Sequence, residues 1–446
     1  MLDPKVFKAY DVRGVYEKDL DEEGAYAIGR AYVEHFEPRK IAVGHDMRVS
    51  SPSMAKAAIK GAADGGADVL DLGLVGTEMV YFAVGALGLD GGIEATASHN
   101  PKEYTGMKIV RRGALPVGGE SGLLEVRDRA LAGFGEVKRR GNVEPYDIWP
   151  AYVERVLSFV DVSAIKPLRV VIDAANGMAG VMLPPILDRL PIDARTYYFE
   201  PDGTFPNHEP NPLLPENREF IIAKTRDESA DLGVAFDGDA DRCFFVDDTG
   251  EFVPGDFITA LLAESILDKE PGAKIIYDVR ASWAVPDTIE RAGGVPLINR
   301  VGHAFIKHRM RKEDAVFGGE VSGHYYFRDF SQADSGVVPF LLVLELISKR
   351  GQKLSEILAP YRDRYFLTGE LNTPVQDVPV KLQELKERFG SVGNVSHLDG
   401  ISVDFDDWHF NVRPSNTEPL LRLNLEARTK EQMERRRDEV LGLIRS

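Results

Sequence analysis

The stretch Arg169-Val170-Val171-Ile172-Asp173-Ala174-Ala175-Asn176-Gly177 decides the fold. A basic residue, a run of β-branched apolar residues, an aspartate and a turn read as a buried strand whose carboxyl end opens into a loop. The same pattern stands at Arg39-Lys40-Ile41-Ala42-Val43-Gly44-His45-Asp46 and at Lys274-Ile275-Ile276-Tyr277-Asp278-Val279-Arg280. Helix-patterned stretches follow these two, over residues 53–64 and 283–291. Gly65-Gly66 and Gly293-Gly294 then turn the chain into a further strand. A βαβ unit recurring at domain-scale spacing is not a solenoid period, and it predicts an α/β fold of three related α/β domains with mixed sheets.

The C-terminal region has a different pattern. Residues 400–405 and 408–413 alternate like antiparallel strands around Asp406-Asp407, and 420–426 is a third strand. Thr429 and Gln432 form a capping box for a last helix with Met433, Val440 and Ile444 inward. This predicts a C-terminal α+β domain. The expected boundaries divide the chain into 1–150, 151–253, 254–367 and 368–446.

The 446 residues, 43% hydrophobic and 28% charged, describe an ordinary globular protein with ample core. Its one cysteine, Cys243, allows no intramolecular disulfide and points to a reducing compartment. The opening residues lack the apolar core of a signal peptide. The most apolar run, 337–347, is interrupted by Pro339 and Glu345 and falls short of a membrane span. A cytoplasmic protein without a membrane partner is expected. A net charge of −17 argues against nucleic acid as a partner, because non-specific binding there rests on phosphate neutralisation. A small anionic ligand remains open to it, through local Arg, Lys and His in loops.

Four loops carry the chemistry. In Thr96-Ala97-Ser98-His99-Asn100-Pro101, a serine hydroxyl is held at a tight turn. Asn100, Pro101 and Glu103 read as N-cap, first helical residue and capping-box partner. A short helix is therefore expected to open just after Ser98 and to end at Tyr104-Thr105-Gly106. Its amide groups would suit a phosphate on the serine; the same residues also make an ordinary surface turn.

Asp237-Gly238-Asp239-Ala240-Asp241-Arg242 places three carboxylates two residues apart, a spacing at which hard oxygen ligands converge on one Mg²⁺. An EF-hand is excluded by Arg242 at the sixth loop position, Asp248 at the twelfth and a strand, not a helix, beyond. A haloacid-dehalogenase nucleophile is disfavoured by Asp241 where Thr or Val should stand. The alternative is a solvated acidic turn, in which three carboxylates would repel one another with only Arg242 to offset them.

Gly319-Glu320-Val321-Ser322-Gly323-His324 alternates Glu, Ser and His, which on an extended loop puts three polar side chains on one side, suited to vicinal hydroxyls. Arg413-Pro414-Ser415-Asn416-Thr417 offers a guanidinium, two hydroxyls and turn amides as a phosphate cradle at a strand end. A glycine-rich hairpin and a proline-rich turn are the plain alternatives. Arg13, Lys108 and the cationic turn Arg300-Val301-Gly302-His303 add basic residues in loops.

These loops, in this order and across the whole chain, resemble the α-D-phosphohexomutase superfamily, its bacterial phosphomannomutase/phosphoglucomutase branch. Phe7-Lys8-Ala9-Tyr10-Asp11-Val12-Arg13-Gly14 and Gly44-His45-Asp46-Met47-Arg48-Val49-Ser50 match as well. The resemblance implies four domains around a central cleft, a phosphoserine at Ser98 and Mg²⁺ on Asp237, Asp239 and Asp241 together with Ser98. It also implies sugar contacts from Glu320 and Ser322, and phosphate contacts from Arg413, Ser415, Asn416 and Thr417. Arg242, Arg280 and His324 are placed on the substrate side.

The activity so implied interconverts hexose 6-phosphates and hexose 1-phosphates through a hexose 1,6-bisphosphate, which also serves as activator. Phosphoryl transfer needs in-line positioning and charge neutralisation more than covalent help from the protein. Three aspartates contribute about −3 against the +2 of Mg²⁺, so Arg242, Lys108 and Arg13 are expected to balance the transferring group. His303 or Lys108 would move the hydroxyl proton.

The chain departs from the family pattern at Thr105 for Asn, His45 for Arg, Arg280 for Lys, and Val321 where Met is common. These positions leave the sugar open between mannose, glucose and glucosamine; phosphoglucosamine mutase is the alternative within the superfamily. A sugar-phosphate phosphatase and a non-catalytic sugar-phosphate binder are the rivals outside it. No feature of the sequence bears on oligomeric state.

Overall fold

The computed structural model describes residues 2–415 and 420–446. The chain forms two compact units. One comprises Met1–Val253, Met310–Lys312 and Ser322–Leu354; the other comprises Pro254–Arg309, Glu313–Val321 and Ser355–Ser446.

The first unit contains two complete mixed sheets. In the first, the order is Val12–Val15, Tyr104–Arg111, Gly91–Ala95, Lys40–His45, Asp68–Leu74 and Val143–Pro145, with Leu115–Pro116 paired beside Tyr104–Arg111. The strands Gly91–Ala95, Lys40–His45, Asp68–Leu74 and Val143–Pro145 run parallel, and Tyr104–Arg111 and Val12–Val15 close the edge antiparallel. The helices Glu22–Phe36 and Ser51–Asp64 pack at their backbones. A Cβ on Gly29 would lie 2.3 Å from the Ala58 carbonyl oxygen, and one on Gly61 would lie 2.1 Å from that of Tyr26. Only glycine admits so close a crossing. The apolar faces of these helices and Ile41, Val43, Val69, Ile93, Met107 and Ile109 from the strands make one core.

The second sheet runs Phe252–Val253, Cys243–Asp247, Leu232–Phe236, Arg169–Asp173 and Asp193–Tyr197. Leu232–Phe236 lies parallel to Arg169–Asp173 and antiparallel to Cys243–Asp247. The metal-spaced aspartates therefore occupy the hairpin loop at the carboxyl end of a wholly buried central strand.

The second unit carries the parallel strands Val295–Asn299, Lys274–Asp278 and Phe317–Gly319, and the first unit also carries the antiparallel ribbon of Tyr325–Phe327 with Ala333–Asp334. The recurring strand pattern seen in sequence marks, in all three places, a strand with a parallel partner on each side.

The C-terminal sheet is antiparallel throughout, in the order Phe366–Pro374, Leu420–Ala427, Trp408–Pro414, Ile401–Asp404 and Asn394–Ser396. Thr429 caps the final helix Lys430–Arg445 by accepting from the Gln432 N–H, and Val440, Leu441 and Ile444 are buried. The strand Phe366–Pro374 and the helix Val378–Phe389 are additions to what the sequence pattern indicated. Among the described residues no helix is long and apolar enough to cross a membrane.

Two local expectations are corrected. No helix opens after Ser98. The segment instead makes two successive turns, with the Asn100 N–H on the Ala97 carbonyl and the Tyr104 N–H on the Pro101 carbonyl, and passes into the strand Tyr104–Arg111. Pairing of that strand with two neighbours takes up the backbone groups that a helix would have used. Nor is the segment after Glu320 extended. Val321 and Ser322 form a turn, with Gly323 at φ 84°, so side chains do not alternate along one side.

Candidate active site

In the first unit, the buried strand Gly91–Ala95 delivers the serine loop at its carboxyl end. Ser98 takes φ 47°, a left-handed conformation that costs an ordinary residue about 1–2 kcal/mol. The surroundings hold it there. The Ser98 N–H donates to Thr96 Oγ1 at 2.8 Å, and Arg13 Nη1 donates to the Thr96 carbonyl at 3.1 Å.

Arg48, 1% exposed, is the main clamp. Its Nη2 donates to the Ser98 and Asn100 carbonyls at 2.7 and 2.5 Å, and its Nη1 to those of Pro101 and Tyr104 at 2.9 and 3.3 Å. A single guanidinium thus gathers four carbonyls that no helix satisfies. It belongs to the Gly44–Ser50 motif, where only its place in the motif hinted at a role.

The aspartate loop comes flush against the serine. A Cβ on Gly238 would lie 2.3 Å from the Ser98 carbonyl oxygen, so glycine is required at that approach. Ser98 Oγ donates to Asp237 Oδ2 at 3.1 Å and lies 3.1 Å from His99 Nδ1. Desolvation, with Arg242 and Arg13 facing it, holds the His99 pKa well below the usual imidazole range.

Asp237, Asp239 and Asp241 offer carboxylate oxygens that all lie within 4.8 Å of one another. Their outer oxygens are held by cations. Arg242 donates from Nε to Asp237 Oδ2 at 2.8 Å, and its N–H donates to Oδ1 at 3.1 Å. Lys108 Nζ reaches Asp239 Oδ2 at 2.7 Å and Asp241 Oδ2 at 2.5 Å. Asp239 Oδ1 and Asp241 Oδ1 are buried and accept no hydrogen bond. Two orphaned oxygens of hard donor type, on carboxylates that approach one another from one loop, fit a divalent cation.

Burial pushes the Asp241 and Asp237 carboxyls up. Asp239, though equally buried, is drawn far below the carboxylate range by the charge and hydrogen bond of Lys108 and by Thr77. Burial would depress Lys108, but Asp239 and Asp241 hold its pKa well above the ordinary value, so Lys108 enters as a cation. His324, from the segment 322–354, brings Nε2 to 3.7 Å from Asp241 Oδ1 and Nδ1 to 3.1 Å from Ser322 Oγ. Both side chains thus belong with the aspartate loop's surroundings in this unit.

The second unit gathers a different group. Arg280 grips Asp278 through Nε and Nη2 at 2.9 and 2.8 Å, and lies 3.9 Å from Glu320 and 3.5 Å from Glu370. Glu320 accepts the Gly302 N–H at 2.9 Å, directly before His303 opens the helix His303–Glu313.

Arg413 and Arg422, cross-strand partners, share Glu370 at 3.0 Å each, and Arg422 Nη2 donates to Ser415 Oγ at 3.3 Å. Burial would raise the Glu370 carboxyl, but Arg280, Arg413 and Arg422 bring it below the usual range. Asn416 and Thr417 lie outside the described residues.

Arg48, Thr77, Glu370, Arg422 and Glu94 are among the polar residues that sequence reasoning missed. Glu94, 1% exposed, faces Lys108 across the strand pair, and neither of its carboxyl oxygens has a hydrogen-bond partner. Burial raises its pKa well above the ordinary range. Its only signal in sequence is a lone acid in the otherwise apolar strand Gly91–Ala95.

A serine hydroxyl on a buried trio of aspartates, at the end of a parallel strand, is a phosphoryl-transfer arrangement. Comparison with known proteins agrees. The phosphoglucomutase/phosphomannomutase alpha/beta/alpha domains I, II and III match residues 4–128, 150–250 and 254–365, and the C-terminal domain of that family matches 370–443.

A phosphomannomutase from Salmonella montevideo is 45% identical over 450 residues, covering 99% of each chain. A phosphohexose mutase from Xanthomonas campestris is 43% identical over 446 residues, covering 98% of this chain and 99% of its own. The crystal structure of a phosphoglucomutase/phosphomannomutase family protein from Burkholderia thailandensis superposes with a TM-score of 0.90 at 33% identity, over 99% of this chain and 97% of that one. The chain belongs to the phosphoglucomutase/phosphomannomutase family and is a phosphohexomutase.

Proposed function

We propose that the protein interconverts hexose 6-phosphates and hexose 1-phosphates, of mannose and/or glucose, through a phosphoserine at Ser98 and a hexose 1,6-bisphosphate. The observation that carries this reading is Ser98 Oγ set 3.1 Å from Asp237, on a loop that lies against the aspartate trio. Mg²⁺ on Asp237, Asp239, Asp241 and the phosphoserine would supply neutralisation of the transferring group. The division near residues 150, 253 and 367 is retained as the domain plan, and a cytoplasmic location as the setting.

Ser98 holds the phosphoryl group and passes it to the free hydroxyl of a bound hexose phosphate. The bisphosphate turns over and returns its other phosphoryl to Ser98. Arg13, Arg242 and Lys108 offset the charge of the loop and its cargo. His303 or Lys108 moves the hydroxyl proton, and Asp239 and Asp241 hold Lys108 toward its cationic form. Glu320, Ser322 and His324 serve the sugar hydroxyls. Arg413, with Ser415, Asn416 and Thr417, grips whichever phosphate is not being transferred, and Arg280 supports it through Glu370.

A turnover panel tests the reading: mannose, glucose and glucosamine 1-phosphates, each with a trace of the matching 1,6-bisphosphate as activator. Formation of the 6-phosphates of mannose or glucose is expected. Release of inorganic phosphate would mark a phosphatase, preference for glucosamine 1-phosphate a phosphoglucosamine mutase, and no product a binding protein.

A further inference from the structure

We propose that Thr77 is a positioning residue for the metal site, fixing the Asp239 carboxylate so that its Oδ1 faces a divalent cation. The proposal rests on the reading that the aspartate trio holds the metal.

Thr77 opens the helix Thr77–Ala86, and neither it nor the N-cap Gly76 makes a side-chain cap bond to that helix. Its hydroxyl goes elsewhere. Thr77 Oγ1 donates to Asp239 Oδ2 at 2.5 Å, a contact spanning 162 residues, with Thr77 only 1% exposed. The backbone beside it also approaches the loop, since a Cβ on Gly76 would lie 3.3 Å from the Asp239 carbonyl oxygen.

Asp239 Oδ2 therefore has two donors, Thr77 and Lys108, while Oδ1 is buried and accepts no hydrogen bond. A carboxylate held twice through one oxygen presents the other in a set direction. The two donors differ in kind. Lys108 sits on a flexible four-carbon stem and is shared with Asp241, so it supplies charge. Thr77 is β-branched and stiff at χ1, so it supplies direction.

The next residue pins the helix start. Glu78 accepts from Tyr152 and Ser335 hydroxyls on Oε1, at 2.5 and 2.9 Å, and from the Gly336 N–H on Oε2 at 2.9 Å. Gly336 itself lies against the metal loop, where a Cβ would fall 2.5 Å from the Ala240 carbonyl oxygen. One helical turn thus grips the metal loop directly through Thr77 and braces its neighbour through Glu78.

The test is Mn²⁺ binding to the full-length, dephosphorylated protein, read by electron paramagnetic resonance of free Mn²⁺, beside the thermal midpoint of each variant. Thr77→Val keeps the shape and removes the donor; its Mn²⁺ affinity should fall about tenfold, or about 1.4 kcal/mol. Thr77→Ser keeps the donor and should stay within about twofold of the parent. If Thr77→Val does not fold, Thr77→Ala takes its place with the same expectation.

Unchanged affinity in the variant lacking the hydroxyl overturns the proposal, provided Asp239→Asn binds Mn²⁺ weakly in the same assay. Equal losses in the valine and serine variants also overturn it, because they would trace the effect to packing. Parent-like binding by Asp239→Asn would overturn the metal reading itself, and the proposal with it.

Discussion

Ser98 Oγ and Asp237 Oδ2, 139 residues apart in the chain, stand 3.1 Å from one another. Each lies on a loop at the carboxyl end of a buried strand, one in each of two mixed sheets, and Gly238 allows the loops to touch. A phosphoryl group on that hydroxyl would enter the aspartate cluster directly.

Ser98 should be the group that carries phosphate. Incubation with a hexose 1,6-bisphosphate is expected to add one phosphoryl mass to the intact parent protein and none to Ser98→Ala. Near-normal mutase activity in Ser98→Ala would remove the serine from the reaction.

Asp239→Asn is expected to lower kcat far more than it raises KM, since a metal on the trio acts in the transition state. Excess chelator should abolish turnover in the parent, and Mg²⁺ should restore it. Full activity with chelator present would refute the metal assignment.

Arg48→Met should be costly. Removing a buried guanidinium that serves four carbonyls and lies 3.5 Å from Asp46 is expected to destabilise the protein by about 3–5 kcal/mol, because the partners stay buried without it. Denaturant midpoints give the stability, and the Ser98 phosphorylation rate of any folded fraction gives the effect on the loop. A variant as stable as the parent would contradict the clamp.

Burial lifts the Glu78 carboxyl to about 8, although Tyr152, Ser335 and Gly336 donate to it. The folded protein holds a proton there that the unfolded chain releases at the ordinary carboxyl value of 4.5. This contribution to stability is full below that pH and is lost as pH rises from about 4.5 to 8. Thermal midpoints across pH 5–8 should fall more steeply for the parent than for Glu78→Gln, which has nothing to titrate there. Parallel slopes would disprove the assignment.

Arg413→Ala should weaken binding of 1-phospho and 6-phospho substrates alike, by about 1.5–3 kcal/mol, the scale of a charged hydrogen bond. Reversal of the intermediate requires one phosphate grip for both halves of the cycle. Steady-state kinetics in both directions decide it, and a defect confined to one direction would require two separate phosphate sites.

The α/β class, the parallel central strands and the aspartate loop were legible in sequence because each depends on a short pattern. A β-branched run ending in Asp needs only local propensity and burial to be read as a strand, and carboxylates two apart in a hairpin share one loop wherever that loop lies. The same local reading failed at Asn100-Pro101-Glu103. There a capping pattern spelled a helix, and pairing of Tyr104–Arg111 with two neighbouring strands overrode it.

The amino-acid sequence alone determined the repertoire: which loops carry hydroxyl, carboxylate and guanidinium, and in which order. Tertiary structure alone decided which atoms meet. Thr77 finds Asp239 across 162 residues, and Glu78 finds Ser335 across 257. Arg48 spends its charge on the carbonyls of a loop 50 or more residues away. Periodicity and turn chemistry act over a few residues, whereas these contacts depend on sheet order and on how closely two backbones approach. The hydroxyl of Thr77 and the guanidinium of Arg48 look like ordinary surface groups until packing removes their water, and only then does each have to find the partner it has.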